Sequence, residues 1–347
     1  MCKVSIIVAV YQGELYIKEC LESLLLQDLD DYEIICINDG STDYTEMIIL
    51  EMQKSFSKIR YIYQKNSGVS VARNKGLEQA AGDYVMFVDA DDYLKNNSLK
   101  FLYETIIDSN ADILVFGGRT DCPFKTPEWI RYAFYTRNRI YEYFTPEILF
   151  NENGTRPSVC NKCFRKETIG NNMFPENISI AEDLVFLFLV FPEARKICFC
   201  KRTVYCYRIT NKASAMHTIS DQPEIKFQNH LAAAEIIIDS WKRNGYLTST
   251  YKDIVLWMAD FLKGPYERLD VKQKLSYKKR IDNIYDTLKV PESCRIVLCS
   301  STSSSAEKQR SLLGRINLII KDIQLLGVRG EIENLIYKIF FRRRESK

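Results

Sequence analysis

The chain has 347 residues, which is enough for one large domain with an appendage or for two domains. Its composition, 46% apolar and 27% charged, is typical of a globular protein, and a net charge of +3 is too small to indicate nucleic acid as a partner. Met1–Val10 has no basic n-region and no apolar stretch reaches about 18 residues, so we expect neither a signal peptide nor a transmembrane helix.

The first 120 residues alternate between strand-like and helix-like segments. The predicted strands are Val4–Val10, Tyr32–Ile37, Ile59–Tyr63, Tyr84–Val88 and Ile113–Phe116. The predicted helices are Leu15–Leu26, Tyr44–Phe56, Val69–Ala81 with Gly82 as its C-cap, and Leu99–Ser109. Repeated strand–helix units favour a Rossmann-like, mostly parallel α/β sheet with helices on both faces.

The chain after residue 120 is less regular and then becomes helical. Proline and aromatic residues punctuate residues 120–220, where one apolar helix is predicted at Leu184–Phe191. Further helices are predicted at Ile225–Asn244, Tyr251–Leu262 and Lys272–Leu288. A Ser-rich linker at Ser300–Ser305 and a helical, apolar and basic tail at Leu312–Phe341 follow.

Acidic residues follow two of the predicted strands. Asp39 comes at the end of the second strand, and Asp89-Ala90-Asp91-Asp92 follows the fourth. Parallel sheets bind ligands beyond the carboxyl ends of their strands, so these carboxylates are expected at a ligand site. The three carboxylates of the cluster repel one another, and Mg²⁺ or Mn²⁺ shared with substrate phosphate would relieve that repulsion. The alternative is a solvated acidic turn that caps the following helix.

The ordered motifs of the chain resemble glycosyltransferase family 2, the inverting enzymes of the GT-A fold. The matching segments are Val4–Gln12, Asn38–Asp43, Asn66–Gly76, Gly82–Leu94, Asn161–Lys166 and Glu182-Asp183. The resemblance implies a GT-A catalytic domain over residues 1–220, followed by a helical region, residues 221–347, that contacts the acceptor, a membrane surface or a second subunit.

The same resemblance implies a nucleotide-binding set. Its members are Ala9, Tyr11, Asp39, Arg73, Asp89 and Ala90. Tyr11 is expected to stack on the base of the donor, and Asp39 to accept a hydrogen bond from the N–H of a uracil or similar ring. Arg73 would neutralise part of the charge of the nucleotide, and Asp89 would approach the ribose hydroxyls.

The resemblance also implies a metal ion and a general base. Asp91 would bind the divalent cation, Mn²⁺ or Mg²⁺, while Asp92 would bind it too or brace it. Asp183, supported by Glu182, would take the proton of the acceptor hydroxyl, and we expect the helix N-terminus to keep it ionised. The alternative for Glu182 and Asp183 is an ordinary acidic first helical turn. Arg208 would contact phosphate or remain a solvated charge.

Other features refine this interpretation. The family often has Pro where Ala9 stands and Asn where Gln12 stands, so the first loop is expected to differ slightly. The segment Asn161–Arg165 resembles one that lines the acceptor side. No Gln-x-x-Arg-Trp segment follows Asp183, which argues against a processive polymer synthase.

We therefore predict an inverting, metal-dependent sugar transfer from a nucleotide-sugar, with a UDP-sugar favoured, to a hydroxyl of a glycan or lipid-linked acceptor in bacterial surface polysaccharide assembly. Two alternatives stay open, a nucleotidyltransferase and a non-catalytic sugar-nucleotide-binding module. The first would normally carry a Gly-rich, basic loop after strand one, where this chain has Tyr11-Gln12-Gly13-Glu14.

Two further signals concern cysteines and the tail. Spacing alone would allow a zinc site at Cys160, Cys163, Cys198, Cys200 and Cys206, but their apolar, strand-like surroundings favour buried thiols in a cytosolic protein. His217 is interpreted as a surface histidine rather than a third metal ligand. The apolar faces of the tail, followed by Arg342-Arg343-Arg344, favour packing on the chain itself or in a homodimer, or else peripheral contact with anionic lipid.

Overall fold

The computed structural model describes residues 2–122, 126–211 and 222–290. The strands are β1 (Val4–Val10), β2 (Tyr32–Asp39), β3 (Ile59–Gln64), β4 (Tyr84–Phe87), β5 (Tyr93–Leu94), β6 (Ile113–Thr120), β7 (Arg139–Tyr141), β8 (Lys162–Arg165) and β9 (Ile197–Tyr207). The helices are α1 (Ile17–Leu25), α2 (Thr45–Ser55), α3 (Val69–Gln79), α4 (Leu99–Ser109), α5 (Glu128–Phe134), α6 (Pro146–Asn151), α7 (Lys166–Ile169), α8 (Glu182–Val190), α9 (Pro223–Arg243), α10 (Leu247–Glu267) and α11 (Val271–Thr287).

One mixed sheet carries all of these strands, in the order β3-β2-β1-β4-β8-β6-β9-β5, with β7 paired to β9. Strands β3, β2, β1 and β4 are parallel to their neighbours in that group. Val4 pairs with both Tyr32 and Tyr84, and nearly all of β1 is buried, as expected for a continuous apolar strand covered on both faces. The predicted α/β fold with its flanking helices is confirmed.

The second half of the sheet mixes strand directions. The short strand β8 runs antiparallel to both β4 and β6, whereas β9 runs parallel to β6. Strand β6 therefore points the same way as β4, and its carboxyl end reaches the same edge of the sheet. The edge strands β5 and β7 pair antiparallel with β9.

Gly82 has a different role from the predicted helix C-cap. Helix α3 ends at Gln79, and Ala80 after it is already extended. A Cβ atom on Gly82 would lie 2.6 Å from the backbone nitrogen of Ser5, and the Gly82 N–H donates to Ser5 Oγ at 2.8 Å. Glycine is required here because the chain passes close to β1, not because it turns left-handed.

The helices predicted at Ile225–Asn244, Tyr251–Leu262 and Lys272–Leu288 are confirmed. Helix α9 fixes the position of α8. Asn229 Oδ1 on α9 accepts the N–H of Ser179 at 2.6 Å, and the Trp241 indole donates to Phe188 O on α8 at 2.8 Å. Helices α9 and α10 belong to the same compact unit as the sheet, and this unit ends at Arg268. The functional division between residues 1–220 and 221–347 stays a prediction.

Leu269 begins a second compact unit, in which α11 is the described helix. Asp270 caps it, accepting the N–H of Gln273 at 2.8 Å, and the Gln273 side chain accepts the Asp270 N–H at 3.0 Å. The predicted Ser300–Ser305 linker and Leu312–Phe341 tail lie outside the described residues, as does His217. Within the described ranges, every helix is too short or too polar to cross a lipid bilayer.

Candidate active site

The acidic cluster forms a tight turn just beyond β4, at the carboxyl edge of the sheet. Asp92 is 1% exposed, and its Oδ1 accepts the backbone N–H of Arg208 at 2.7 Å. Its Oδ2 accepts a hydrogen bond from the Tyr205 hydroxyl. Burial and the charges of Asp89 and Asp91 raise the pKa of Asp92 well above its ordinary value. Because each of its oxygens accepts a hydrogen bond from the chain, Asp92 fits the predicted bracing role, and direct metal binding by Asp92 stays a prediction.

The end of β9 holds this turn in place. The Tyr205 hydroxyl accepts the Asp89 N–H at 3.3 Å while it donates to Asp92. Arg208 Nε donates to Asp91 O at 2.7 Å, and its guanidinium pairs with Glu19 at 2.6 Å. The Arg208 side chain is only 15% exposed, so its interpretation as a solvated charge is wrong.

Asp89 and Asp91 each have one carboxylate oxygen that is available to a ligand. Asp89 Oδ1 accepts from Arg73 and Asp91 Oδ2 from Asn211, at 2.9 and 2.8 Å, and the second oxygen of each has no hydrogen-bond partner among the described residues. Burial, followed by the charge of Asp89, raises the pKa of Asp91. Within the described part of the chain, no three His, Cys, Asp or Glu side chains converge as a complete metal site, the cysteine set included. Two carboxylates nevertheless fit a hard cation that is shared with phosphate oxygens and water.

Arg73 joins the acidic turn to the second acidic pair. It lies on α3, its side chain is 8% exposed, and it donates to Asp89 at 2.9 Å and to Glu182 at 2.8 Å. Burial lowers the pKa of Arg73, but the charges of Asp89 and Glu182 outweigh burial and raise this pKa above its ordinary value. The structure thus brings together carboxylates that are separated by more than 90 residues in the sequence.

Asp183 lies in the first turn of α8, directly after Ala181 in a left-handed conformation (φ 67°) and Glu182. Its Oδ1 accepts the N–H of Leu184 at 2.7 Å. Burial, with the charge of Glu182, raises the pKa of Asp183 to about 8, although Arg73 and the Leu184 hydrogen bond act in the opposite direction. The expectation that the helix N-terminus keeps Asp183 ionised is therefore wrong, because desolvation outweighs the helix dipole.

Tyr11 is the most exposed of the predicted nucleotide-binding residues. It follows β1, which contains Ala9, and it is 54% exposed. Gln12 after it has φ 51°, donates its N–H to Ser41 Oγ at 3.0 Å and accepts the N–H of Thr42 at 2.8 Å. The loops after β1 and β2 therefore hold each other, and the aromatic ring faces outward beside them.

Asp39 organises the loop that leads into α3. Its Oδ1 accepts from the Gln64 amide at 2.7 Å and the Ser67 N–H at 2.8 Å, and its Oδ2 accepts the Gly68 N–H at 2.8 Å. A carboxylate has about four acceptor positions, so one stays available for a ligand. The role of Asp39 in base recognition stays a prediction.

Asn161 and Lys162 are fully buried and do not line an open acceptor surface. The Lys162 ammonium donates to Gly154 O at 2.8 Å and also to Ser158 O. Burial lowers the pKa of Lys162 to about 7. These side chains hold the 154–158 loop against β8.

Comparison with known proteins gives consistent matches. Residues 5–169 match the model for "Glycosyl transferase family 2". The chain is 33% identical over 301 residues to EpsJ of Bacillus subtilis, an uncharacterized glycosyltransferase, and the match covers 78% of this chain and 82% of EpsJ.

A second relative is known in sequence and in structure. The chain is 28% identical over 269 residues to TarS of Staphylococcus aureus, named a poly(ribitol-phosphate) beta-N-acetylglucosaminyltransferase. That match covers 76% of this chain but 44% of TarS, so the chain spans less than half of this relative. The crystal structure of TarS 1-349 in complex with UDP superposes with a TM-score of 0.63 at 24% identity, over 83% of this chain and 81% of that one, which shows a common fold.

Proposed function

The chain belongs to glycosyltransferase family 2, and on that premise we propose that it transfers a hexose or N-acetylhexosamine from a UDP-sugar to an acceptor hydroxyl, with inversion. The acceptor we propose is a growing glycan or a lipid-linked chain in bacterial surface polysaccharide assembly. The UDP in the crystal structure of TarS and the N-acetylglucosaminyl transfer in the name of TarS support this choice of donor.

One observation carries the proposal, the linkage of two acidic groups through Arg73. The Asp89–Asp92 turn lies at the ligand edge of the sheet, and the Arg73 guanidinium connects it to Glu182, next to Asp183. A displacement needs a place for the leaving diphosphate and, on the other side of the sugar, a base for the incoming hydroxyl. The acidic turn supplies the first requirement, and Asp183 the second.

Each side chain has a step in this reaction. The exposed ring of Tyr11 stacks on the base, and the remaining acceptor position of Asp39 receives the ring N–H. Asp183 accepts the proton of the acceptor hydroxyl while the hydroxyl oxygen attacks the anomeric carbon and the bond to the diphosphate oxygen breaks. Attack from the face opposite the leaving group inverts the anomeric configuration.

Asp91, with Asp89, is the position where a divalent cation would be held. When bound, Mn²⁺ or Mg²⁺ would stabilise the negative charge that develops on the leaving diphosphate. Asp92 does not bind the cation in this proposal. Its hydrogen bonds to Tyr205 and Arg208 fix the turn so that Asp91 is presented without rearrangement.

A hydrolysis assay with a panel of nucleotide-sugars tests the proposal. We expect release of UDP from one UDP-sugar in the presence of Mn²⁺ or Mg²⁺, and loss of that release in Asp91→Asn with an unchanged thermal unfolding midpoint. Asp108→Asn, an exposed carboxylate on α4, is the matched control and should retain activity. Near-normal UDP release by Asp91→Asn would contradict the mechanism, and pyrophosphate release from a nucleoside triphosphate and a sugar phosphate would indicate a nucleotidyltransferase.

A further inference from the structure

A cleft of about 390 Å³ opens on one face of the sheet, where α5 crosses β6 and β9. The residues of β6 from Gly117 to Thr120 and the β9 residues Lys201 and Thr203 line one side. Residues of α5 and of the segment that follows it, among them Phe134 and Tyr135, line the other. None of the roles assigned above uses this cleft.

The charge of the cleft is one-sided. Arg131 and Lys201 line it, both are exposed, and neither forms an ion pair with a residue that the structure describes. Arg119 contributes only its backbone, because its Nε donates to Cys206 Sγ at 3.4 Å on the face of β6 opposite Phe134. Among the described lining residues there is no carboxylate. Two cations that no carboxylate among the described lining residues neutralises favour an anion, and the Arg131 guanidinium matches the geometry of phosphate oxygens.

The shape of the cleft depends on glycine. A Cβ atom on Gly118 would lie 2.6 Å from Cδ1 of Phe134, and one on Gly117 would lie 3.1 Å from Arg202 O. Glycine at position 118 lets Phe134 of α5 approach β6 closely, and glycine at position 117 lets the backbone of β9 do the same. The 60% exposed ring of Tyr135 adds an apolar surface of the kind that covers carbon-bound hydrogens of sugars and polyols.

The cleft connects directly with the acidic turn. The Phe134 ring stacks on Tyr205 with centroids 5.5 Å apart and planes 8° apart. The Tyr205 hydroxyl bonds both Asp92 and the Asp89 N–H. The carboxyl end of β6 also reaches the acidic edge, where Asp121 accepts the N–H of Ile209 at 3.0 Å. The stacked rings of Phe134 and Tyr205 would thus separate a ligand in the cleft from the acidic turn.

We propose that this cleft binds a phosphate group of the acceptor, which is then a phosphate-bearing polyol or saccharide chain. The inference rests on the proposed function, because it assigns the acceptor class of that same reaction. The cations hold the phosphate oxygens, Thr203 is positioned to add a hydroxyl donor, and the Tyr135 ring covers the carbon chain beside them.

Isothermal titration with a glycerol phosphate oligomer tests the proposal, with an uncharged glucose oligomer for comparison. We expect the phosphate oligomer alone to bind, and the double variant Arg131→Ala/Lys201→Ala to weaken its binding by at least about tenfold. The matched control, Lys54→Ala/Lys100→Ala, removes the same charge from α2 and α4 and should bind normally. UDP affinity should be unchanged in all three proteins.

Four outcomes would overturn the cleft as an acceptor site: equal binding of the uncharged oligomer, normal binding by Arg131→Ala/Lys201→Ala, displacement of the oligomer by UDP, or competition by inorganic phosphate at equal affinity. The last would indicate a free-phosphate site. A failure of the proposed function is distinguishable, because it appears as absent UDP binding in every protein, the unmodified chain included.

Discussion

At the scale of single residues, the protonation of Asp183 is set by two opposing effects. The Leu184 N–H and the Arg73 guanidinium favour its ionised form, whereas burial and the neighbouring Glu182 favour the neutral form. Burial dominates, and the pKa reaches about 8. A proton acceptor is most effective when its pKa lies close to the pH at which it works, so this balance suits a general base.

This balance predicts a pH dependence for sugar transfer. Below about pH 8 the Asp183 carboxyl is mainly protonated and cannot accept a proton, so we expect kcat/KM to fall about tenfold per pH unit on the acid side and to level off above it. The measurement is kcat/KM for the acceptor across this range. UDP affinity serves as the control and should stay nearly constant, and Asp183→Asn should bind UDP without transferring sugar. A flat profile in the unmodified chain would contradict the assignment of the base.

Residue types and order in the sequence predicted which acidic residues form the candidate site, but not the contacts that each one makes. Asp89, Asp91, Asp92 and Asp183 all lie in one linked region, as the motifs indicated. The contact between Asp92 and Tyr205 spans 113 positions, and no local pattern reveals such a contact. Only the fold shows that the Tyr205 hydroxyl contacts the acidic turn.

At the scale of elements, β9 supports the turn after β4. The Tyr205 hydroxyl on β9 and the N–H of Arg208, the residue directly after β9, each donate to one oxygen of Asp92. Because this carboxylate is buried, removal of either partner leaves an acceptor without a hydrogen bond in a site that water does not reach.

Replacement of Tyr205 by phenylalanine isolates the hydroxyl. The ring keeps its stacking on Phe134, while Asp92 Oδ2 and the Asp89 N–H lose their partner. We expect the free energy of unfolding in urea to fall by about 1–3 kcal/mol and UDP release to slow.

The matched control is Tyr207→Phe. Tyr207 is on the same strand, its ring lies 5.7 Å from that of Phe134, and no hydrogen bond of its hydroxyl is found among the described residues. This variant should stay within about 0.5 kcal/mol of the unmodified chain. Equal losses in the two variants would show that the ring environment, not the hydroxyl, is responsible.

The elements themselves were predictable to different degrees. The parallel strands β1 to β4 are continuous apolar runs separated by helical stripes, so their positions could be read from local periodicity. Strand β8 has only four residues, and it becomes a strand because β4 and β6 leave a place between them. Gly82 is a second case in which local sequence was not enough. A glycine after a helix is typical of a C-cap, whereas here it is required by a close tertiary contact with Ser5.

At the scale of the whole molecule, Arg73 links the parallel half of the sheet to the region around α8. Its partners Asp89 and Glu182 lie 16 residues and 109 residues away in the chain. The side chains of Arg73 and Glu182 are largely shielded from water, and that of Asp89 is partly exposed. A buried cation between two carboxylates has a small net effect on stability while it is intact, but its removal leaves both anions close together without compensation.

Arg73→Leu should therefore destabilise the chain by about 3–5 kcal/mol in urea unfolding, because two partly buried carboxylates then lack their counter-charge. Arg60→Leu is the matched control, since Arg60 is 47% exposed, meets Glu33 at 4.0 Å, and should contribute no more than about 1 kcal/mol. Adding Glu182→Gln to Arg73→Leu should restore part of the loss, because it removes one of the uncompensated charges. If the two substitutions were simply additive, Arg73 and Glu182 would not be energetically coupled, and the link between the two acidic groups would be geometric only.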